Sequence, residues 1–234
     1  MSNLKIRISQ FLLSAQVMII NALSDSVIKK ALEGYGYAEE KLLAGKKLYD
    51  EIAVLDNLRK MKYGERIAAT AELNNAWRTA KQQYMQALKI ARVAFRENVK
   101  ADKAIFLKGI RKRTLSEWII QAQVFYTNIL NDGELAVILS RYGYSPERLR
   151  QEFVLLDQVV DKSFRQKKEI GEAQEVTEAW DKKIDELAKW VSDLRAVAKV
   201  ALADDPQQLE KLGILARTSP VSKSQKAAES SQST

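Results

Sequence analysis

The chain has 234 residues, of which 46% are hydrophobic and 29% charged, a balance typical of a folded protein with a buried core. It contains no cysteine and no histidine, which excludes thiolate nucleophiles, imidazole bases, disulfides and the common zinc and haem ligand sets. The formal charge of +8 favours an anionic partner, such as nucleic acid, an acidic protein or a lipid surface. Only 9 Gly and 3 Pro interrupt a sequence of good helix formers, so we predict an all-α helical bundle with long helices.

The strongest pattern is internal similarity at a constant offset of 107 positions, which predicts two tandem copies of one helical unit. The matched residues include Ala15, Gln16, Val17, Asn21 and Leu23, which recur as Ala122, Gln123, Val124, Asn128 and Leu130. Near the ends the offset is expected to shorten and to pair Gly109 with Gly213. We predict a first unit over 1–107, a second over 108–218, and a disordered tail rich in Ser, Lys and Gln over 219–234.

Each unit begins with an apolar run, at 11–23 and at 118–130. The first run resembles a secretory signal, but its counterpart lies in the middle of the chain, so both are interpreted as buried core helices. Both are shorter than the ~20 apolar residues that a membrane span needs. Ser9 and Ser116 are the predicted N-caps, and each helix is expected to have neighbours on nearly every face.

A short second helix is predicted after Asp25 and Asp132, which can cap it. It is expected to end at a Tyr-Gly-Tyr triplet, where the glycine adopts the left-handed conformation and the following tyrosine makes the apolar contact of a Schellman motif. The residues given this structural role are Gly36, Tyr37, Gly143 and Tyr144. The triplets could instead form aromatic platforms for a ligand.

A long helical stretch follows, at 38–98 and at 145–203, which Ser145 and Pro146 open in the second unit. Gly64 and Gly171 interrupt it at matched positions. We favour one continuous helix in which these glycines allow the close approach of a crossing helix. The alternative is a hairpin at each glycine, which would give three helices of similar length per unit.

Paired carboxylates are the one catalytic constellation left by this composition, and the matched pairs are Asp50 with Asp157 and Glu65 with Glu172. Acidic residues are common on solvated helix faces, and recurrence is expected in any repeat. The glycines are scattered singly, so no phosphate-binding loop is present. We therefore predict no catalytic, cofactor or metal site and no small-molecule substrate.

A basic cluster lies at the junction of the two predicted units. Its members are Lys108, Arg111, Lys112 and Arg113, with further cations in the tail from Arg217 onward. The cluster is a candidate anion contact, for example with phosphates. Its alternative role is that of a solvated loop that favours the preceding helix C-terminus.

The function predicted by these patterns is that of a non-enzymatic structural or scaffolding protein. It would act through helix-mediated self-association or protein–protein interaction, as a homo-oligomer or with another protein. The alternative is a basic binder of nucleic acid or another anionic polymer. A membrane-active role is a third and more distant reading. A cytoplasmic location is expected, with an extracellular one left open.

Overall fold

A computed structural model of the protein describes residues 2–215, with side chains from Arg7 onward. Within this range the protein is an all-α helical bundle without strands. Its helices are α1 (Ser2–Ser24), α2 (Ser26–Glu33), α3 (Glu39–Ala94), α4 (Val99–Ala104), α5 (Leu115–Asn131), α6 (Gly133–Ser140), α7 (Pro146–Ala201) and α8 (Pro206–Lys211). The tail predicted over 219–234 lies outside the described residues.

The helices form two compact units, and each unit combines segments that are distant in sequence. Of the described residues, unit 1 contains those up to Asn57 together with those from Glu178 on, and unit 2 contains Leu58–Thr177. Unit 1 therefore joins α1, α2 and the start of α3 to the end of α7 and α8. Unit 2 joins the rest of α3 and α4 to α5, α6 and the start of α7. This division differs from the one predicted at residue 107, which falls inside unit 2.

The core of unit 2 is built around a cluster of aromatic rings. Tyr84 of α3 lies edge-on to Trp118 and Phe125 of α5, with ring centroids 6.2 and 5.3 Å apart. Trp118 and Phe125 are almost completely buried, as expected for the apolar face of α5. Helices that precede α5 in sequence and helices that follow it both cover this face. Unit 2 therefore requires residues from both predicted sequence units.

The core of unit 1 depends on one close approach between helices. Gly45 of α3 is buried, and a Cβ atom at this position would overlap the ring of Trp190 in α7. Tyr37 lies edge-on to the same ring, with centroids 6.2 Å apart. The absence of a side chain at Gly45 therefore makes the space that Trp190 fills.

The predicted turns are confirmed at the level of individual hydrogen bonds. Asp25 and Asp132 both cap the following helix by accepting two backbone N–H bonds. Gly36 and Gly143 have φ angles of +80° and +82°. The backbone N–H of Tyr37 donates to the Leu32 carbonyl at 3.1 Å, and that of Tyr144 to the Leu139 carbonyl at 3.3 Å, as in a Schellman motif. Ser145 also acts as predicted, since its Oγ accepts from the backbone N–H of Arg148.

The N-caps predicted for the first helix of each sequence unit are wrong. α1 already includes Ser2, so Ser9 lies inside the helix. α5 begins at Leu115 after Thr114, which places Ser116 in the first turn. Apolar periodicity identified these helices, but it did not show that each begins before its apolar run.

The long stretches are continuous helices of 56 residues each, α3 and α7, so the hairpin alternative is wrong. The role given to the glycines within them is also wrong. A Cβ atom at Gly64 or Gly171 would meet no other atom within 4 Å, so neither glycine allows a close approach. Gly45 has that role instead, and its counterpart 107 positions later is Glu152 rather than a glycine.

Two similar backbone hydrogen bonds lie 107 positions apart near the ends of the predicted units, where a shorter offset was expected. The backbone N–H of Leu107 donates to the Asp102 carbonyl at 3.2 Å, and that of Ile214 donates to the Leu209 carbonyl at 3.0 Å. Phe106 and Gly213 also lie 107 positions apart, and both have positive φ angles, 53° and 71°. Gly109, also at positive φ, belongs to the linker that follows.

Replacing Gly36 or Gly143 by Ala tests the left-handed turns. Each substitution should lower the free energy of unfolding by about 1 kcal/mol, because a Cβ is disfavoured at positive φ. Gly34 is the control, since its φ is −62° and an added Cβ would meet only the Ala31 carbonyl at 3.6 Å. Urea unfolding followed by circular dichroism measures all three variants. Equal losses for Gly34→Ala and Gly36→Ala would contradict this explanation.

Cutting the chain in its linker tests the mixed composition of the two units. A site-specific protease sequence inserted between Arg113 and Thr114, both exposed, would separate the chain into two fragments. We expect the fragments to elute together in size-exclusion chromatography and to separate only in denaturant, because each core contains residues of both. Separate elution of two folded fragments under native conditions would show that residues 1–113 fold independently.

Candidate interaction surface

The first candidate surface is an apolar stripe on α1, which we call the α1 face. It consists of Leu13, Val17 and Ile20, whose exposed fractions are 62%, 40% and 48%. A spacing of four and three residues places the three side chains on one side of the helix. The opposite side, with Ala15 and Met18, is buried in unit 1. The expectation that α1 has neighbours on nearly every face is therefore wrong within unit 1.

A small groove continues the α1 face toward α3. It has a volume of about 90 Å³ and is lined by Gln16, Ile19, Ile20, Lys46, Tyr49 and Asp50. Lys46 and Asp50 form an ion pair at 2.6 Å on its α3 side. Stripe and groove together offer an apolar helix face with a polar edge, the pattern that suits a partner helix.

The corresponding helix of unit 2 lacks such a stripe. Ile120 matches Leu13 at the offset of 107 and is equally exposed, at 62%. The position that matches Ile20 is Thr127, and the position that matches Ile19 is Tyr126, which is buried. Of these two matched helices, therefore, only α1 presents the stripe.

A second exposed region lies within unit 2, where α3 and α7 run antiparallel outside the aromatic core. We call residues 58–72 and 160–177 the mid-helix section. Polar side chains connect the two helices there: Lys62 to Glu172 at 2.7 Å, and Lys162 to Glu72 at 2.6 Å. The exposed apolar side chains of the section are Met61, Tyr63, Ile67, Phe164 and Ile170.

The mid-helix section also brings one matched carboxylate pair together. Glu65, Glu172 and Glu169 place carboxylate oxygens within 4.8 Å of one another, the kind of grouping that can hold a cation. The Lys62 ammonium, however, lies 2.7 Å from both Glu65 and Glu172. Hydrogen bonding to Lys62 lowers the pKa of Glu172, so this carboxylate is ionised at neutral pH. The Lys62 ammonium therefore provides the positive charge beside the Glu65 and Glu172 carboxylates.

The other matched pair is not brought together within one unit. Asp50 belongs to unit 1 and Asp157 to unit 2. Asp50 is ion-paired with Lys46, one helical turn earlier. Within a single unit, therefore, only the pair of Glu65 and Glu172 is brought together.

Most of the basic cluster is engaged in contacts within unit 2. Lys108 pairs with Asp102 at 3.2 Å and Lys112 with Glu117 at 3.3 Å. The Arg111 guanidinium donates to the Tyr84 hydroxyl at 2.9 Å and to the backbone carbonyls of Phe106, Lys108 and Gly109. Arg113 is exposed. The tail cations from Arg217 onward lie outside the described residues.

Unit 2 contains a buried polar network that the sequence did not reveal. Glu152, 7% exposed, is the one buried charged residue among the described side chains. It accepts hydrogen bonds from the Tyr126 hydroxyl and from Arg148 Nε, each at 3.1 Å. Burial raises the pKa of Glu152, and the two hydrogen bonds oppose that rise. Burial likewise raises the pKa of Tyr126, which keeps its proton.

The position of Glu152 in sequence gave a misleading signal. It lies in the first part of α7, where an acidic side chain is expected to be exposed and to stabilise the helix dipole. One available clue was the neighbouring spacing, because Leu149, Phe153 and Leu156 place Glu152 close to the apolar side of the helix.

None of the helices in the described range is by itself long and apolar enough to cross a membrane, although α1 from Arg7 and α2, bent by 89° at their junction, together have that length and composition. Comparison with known proteins finds no matching family model, no matching curated protein and no matching solved structure.

Two substitutions at Glu152 test the buried network. Glu152→Ala should cost about 1–3 kcal/mol, since it leaves the Tyr126 hydroxyl buried without a partner. Glu152→Gln should stay within about 1 kcal/mol of the parent, because its amide can still bond to both neighbours. Chemical unfolding measured at several pH values gives both numbers.

The pH dependence of the unfolding free energy separates the effect of the Glu152 charge from the effect of its packing. A raised pKa means that folding favours the protonated acid, so this contribution is complete below the unfolded pKa of about 4.3 and is lost as pH rises through the folded pKa. The stability of Glu152→Gln relative to the parent should therefore improve from pH 4 to pH 7. The exposed Glu175→Gln, in the same helix, is the control for replacing a carboxyl group by an amide. A constant difference between Glu152→Gln and the parent would contradict the assignment.

Proposed function

We propose that the protein is a non-enzymatic structural or scaffolding protein that acts through helix-mediated self-association or protein–protein interaction. The observation that supports this most directly is the α1 face. Three large apolar side chains in helical register stay exposed although the other side of the same helix is buried. A contiguous exposed apolar stripe with a polar edge is typical of an interaction site.

We further propose that the chain consists of two tandem copies of one helical unit. Matching contacts at the offset of 107 positions support this. Asn21 Nδ2 donates to the Lys211 carbonyl and Asn128 Nδ2 to the Ala104 carbonyl, both at 2.6 Å. Lys41 lies over the Tyr37 ring and Arg148 over the Tyr144 ring, at 3.8 and 3.9 Å from the centroids. A scaffold of this kind would have two similar sets of internal contacts and different exposed surfaces.

A pair of variants tests the role of the α1 face. Leu13→Glu places a charge in the stripe and should weaken self-association or partner binding on the order of tenfold or more, since burying an unpaired charge is costly. Ile120→Glu is the matched control, with the same exposure at the equivalent position of α5. Light scattering at increasing protein concentration and pull-down from lysate measure both variants. A parent chain that stays monomeric at high micromolar concentration and captures no partner would contradict the proposal.

The alternative function is that of a basic binder of nucleic acid or another anionic polymer. Its support is the net charge of +8 together with the exposed Arg113. Binding of this kind weakens steeply with salt. A gel shift with the parent chain at low and moderate ionic strength distinguishes it from a scaffold, which need not bind DNA or RNA.

A further inference from the structure

The linker between α4 and α5 is the one direct connection between two halves of the chain that build both cores together. The first half, residues 1–107, ends at the buried Leu107. The second half, residues 115–215, begins at Leu115, which packs against the same core. Residues 108–114 lie between these two anchors without helical structure. If this segment straightened, the second half could pair with the first half of another copy and form the same two cores there.

Specific contacts hold the linker in its folded-back conformation. Arg111 joins it to α3 by donating to the Tyr84 hydroxyl at 2.9 Å. The backbone N–H of Lys112 donates to Gln121 Oε1 of α5 at 3.1 Å. Gly109 adopts a φ of +96°, a conformation that side chains with a Cβ avoid. Arg111 therefore anchors this segment to α3, and Gly109 has the left-handed conformation that its folded-back path uses.

Core packing determines which half can serve as a partner. In unit 1, Gly45 of the first half makes room for Trp190 of the second half. The equivalent positions in unit 2 are Glu152 of the second half and Gln83 of the first half. A pair of two second halves would place Trp190 against Glu152, which has a side chain where unit 1 has the glycine that the ring needs. A pair of two first halves would place Gln83 beside Gly45, and this smaller side chain would fill less of the space than Trp190 does. The complementary partner of a first half is therefore a second half.

We propose that a second copy of this chain is a binding partner through exchange of these halves. Residues 1–107 of each copy pair with residues 115–215 of the other, and residues 108–114 act as the hinge. The exchanged dimer keeps every contact of both cores and replaces only the contacts of the two hinges, which is the usual basis of domain swapping. The proposal rests on the shared cores and is independent of the α1 face.

Joint refolding of two differently tagged full-length chains tests the exchange. The chains are unfolded in guanidinium, mixed, and refolded at about 0.5 mM, near the effective concentration that a short linker provides. We expect dimers that carry both tags and that persist on dilution, because they can separate only by unfolding. Mixing the same chains after folding should give no such dimers. Association through the α1 face would instead appear on mixing and reverse on dilution.

Hinge variants make the test specific. Arg111→Ala removes the hydrogen bond to Tyr84, and Gly109→Val disfavours the left-handed backbone conformation at position 109. Each variant should therefore raise the dimer-to-monomer equilibrium constant on the order of tenfold. Arg113→Ala, an exposed cation of the same segment, is the matched control and should leave the constant unchanged. If Arg111→Ala does not refold, Gly109→Val carries the test alone, since a Cβ at Gly109 meets no atom within 4 Å. Hinge variants that refold only to monomers would overturn the proposal.

Discussion

The structure depends on one requirement: the apolar faces of each short helix pair are buried by residues from the other half of the chain. In unit 1, α1 and α2 share their core with Leu187 and Leu194 of α7 and with Leu212 beyond α8. In unit 2, α5 and α6 share theirs with Leu88 of α3 and Ile105 beyond α4. Hydrophobic burial is the main favourable term in folding, so neither half can complete a core on its own. The long helices follow from this requirement, because each half must contribute to both units.

Features governed by neighbours within a few positions could be predicted from the sequence. The caps at Asp25 and Asp132 and the left-handed turns at Gly36 and Gly143 each depend on residues at most five positions away. Features governed by distant residues could not. Gly45 is essential for packing because Trp190 lies against it, and no local pattern connects two positions so far apart. The same role was predicted for Gly64 and Gly171 only because these glycines recur. Recurrence carries no information about close packing.

The candidate sites show the same division. The basic cluster was visible in the sequence, but its main use was not, since the partner of Arg111 is the Tyr84 hydroxyl of α3 and that of Lys112 is Glu117 of α5. A cation that is hydrogen-bonded to its own chain contributes less to an anion site than its formal charge suggests. The buried Glu152 was hidden for the opposite reason, because its polarity matched an exposed position in the first part of a helix.

The differences between matched positions bear on how the protein could associate. The α1 face requires Leu13, Val17 and Ile20 together, and the matched helix α5 keeps the apolar residue at the first of these positions but has Thr127 at the last. Two equivalent faces on one chain would allow each copy to contact two others, which leads to open-ended chains. A single face allows an isologous contact that closes after two copies. The asymmetry between α1 and α5 therefore favours a discrete pair, or one partner helix, over a filament.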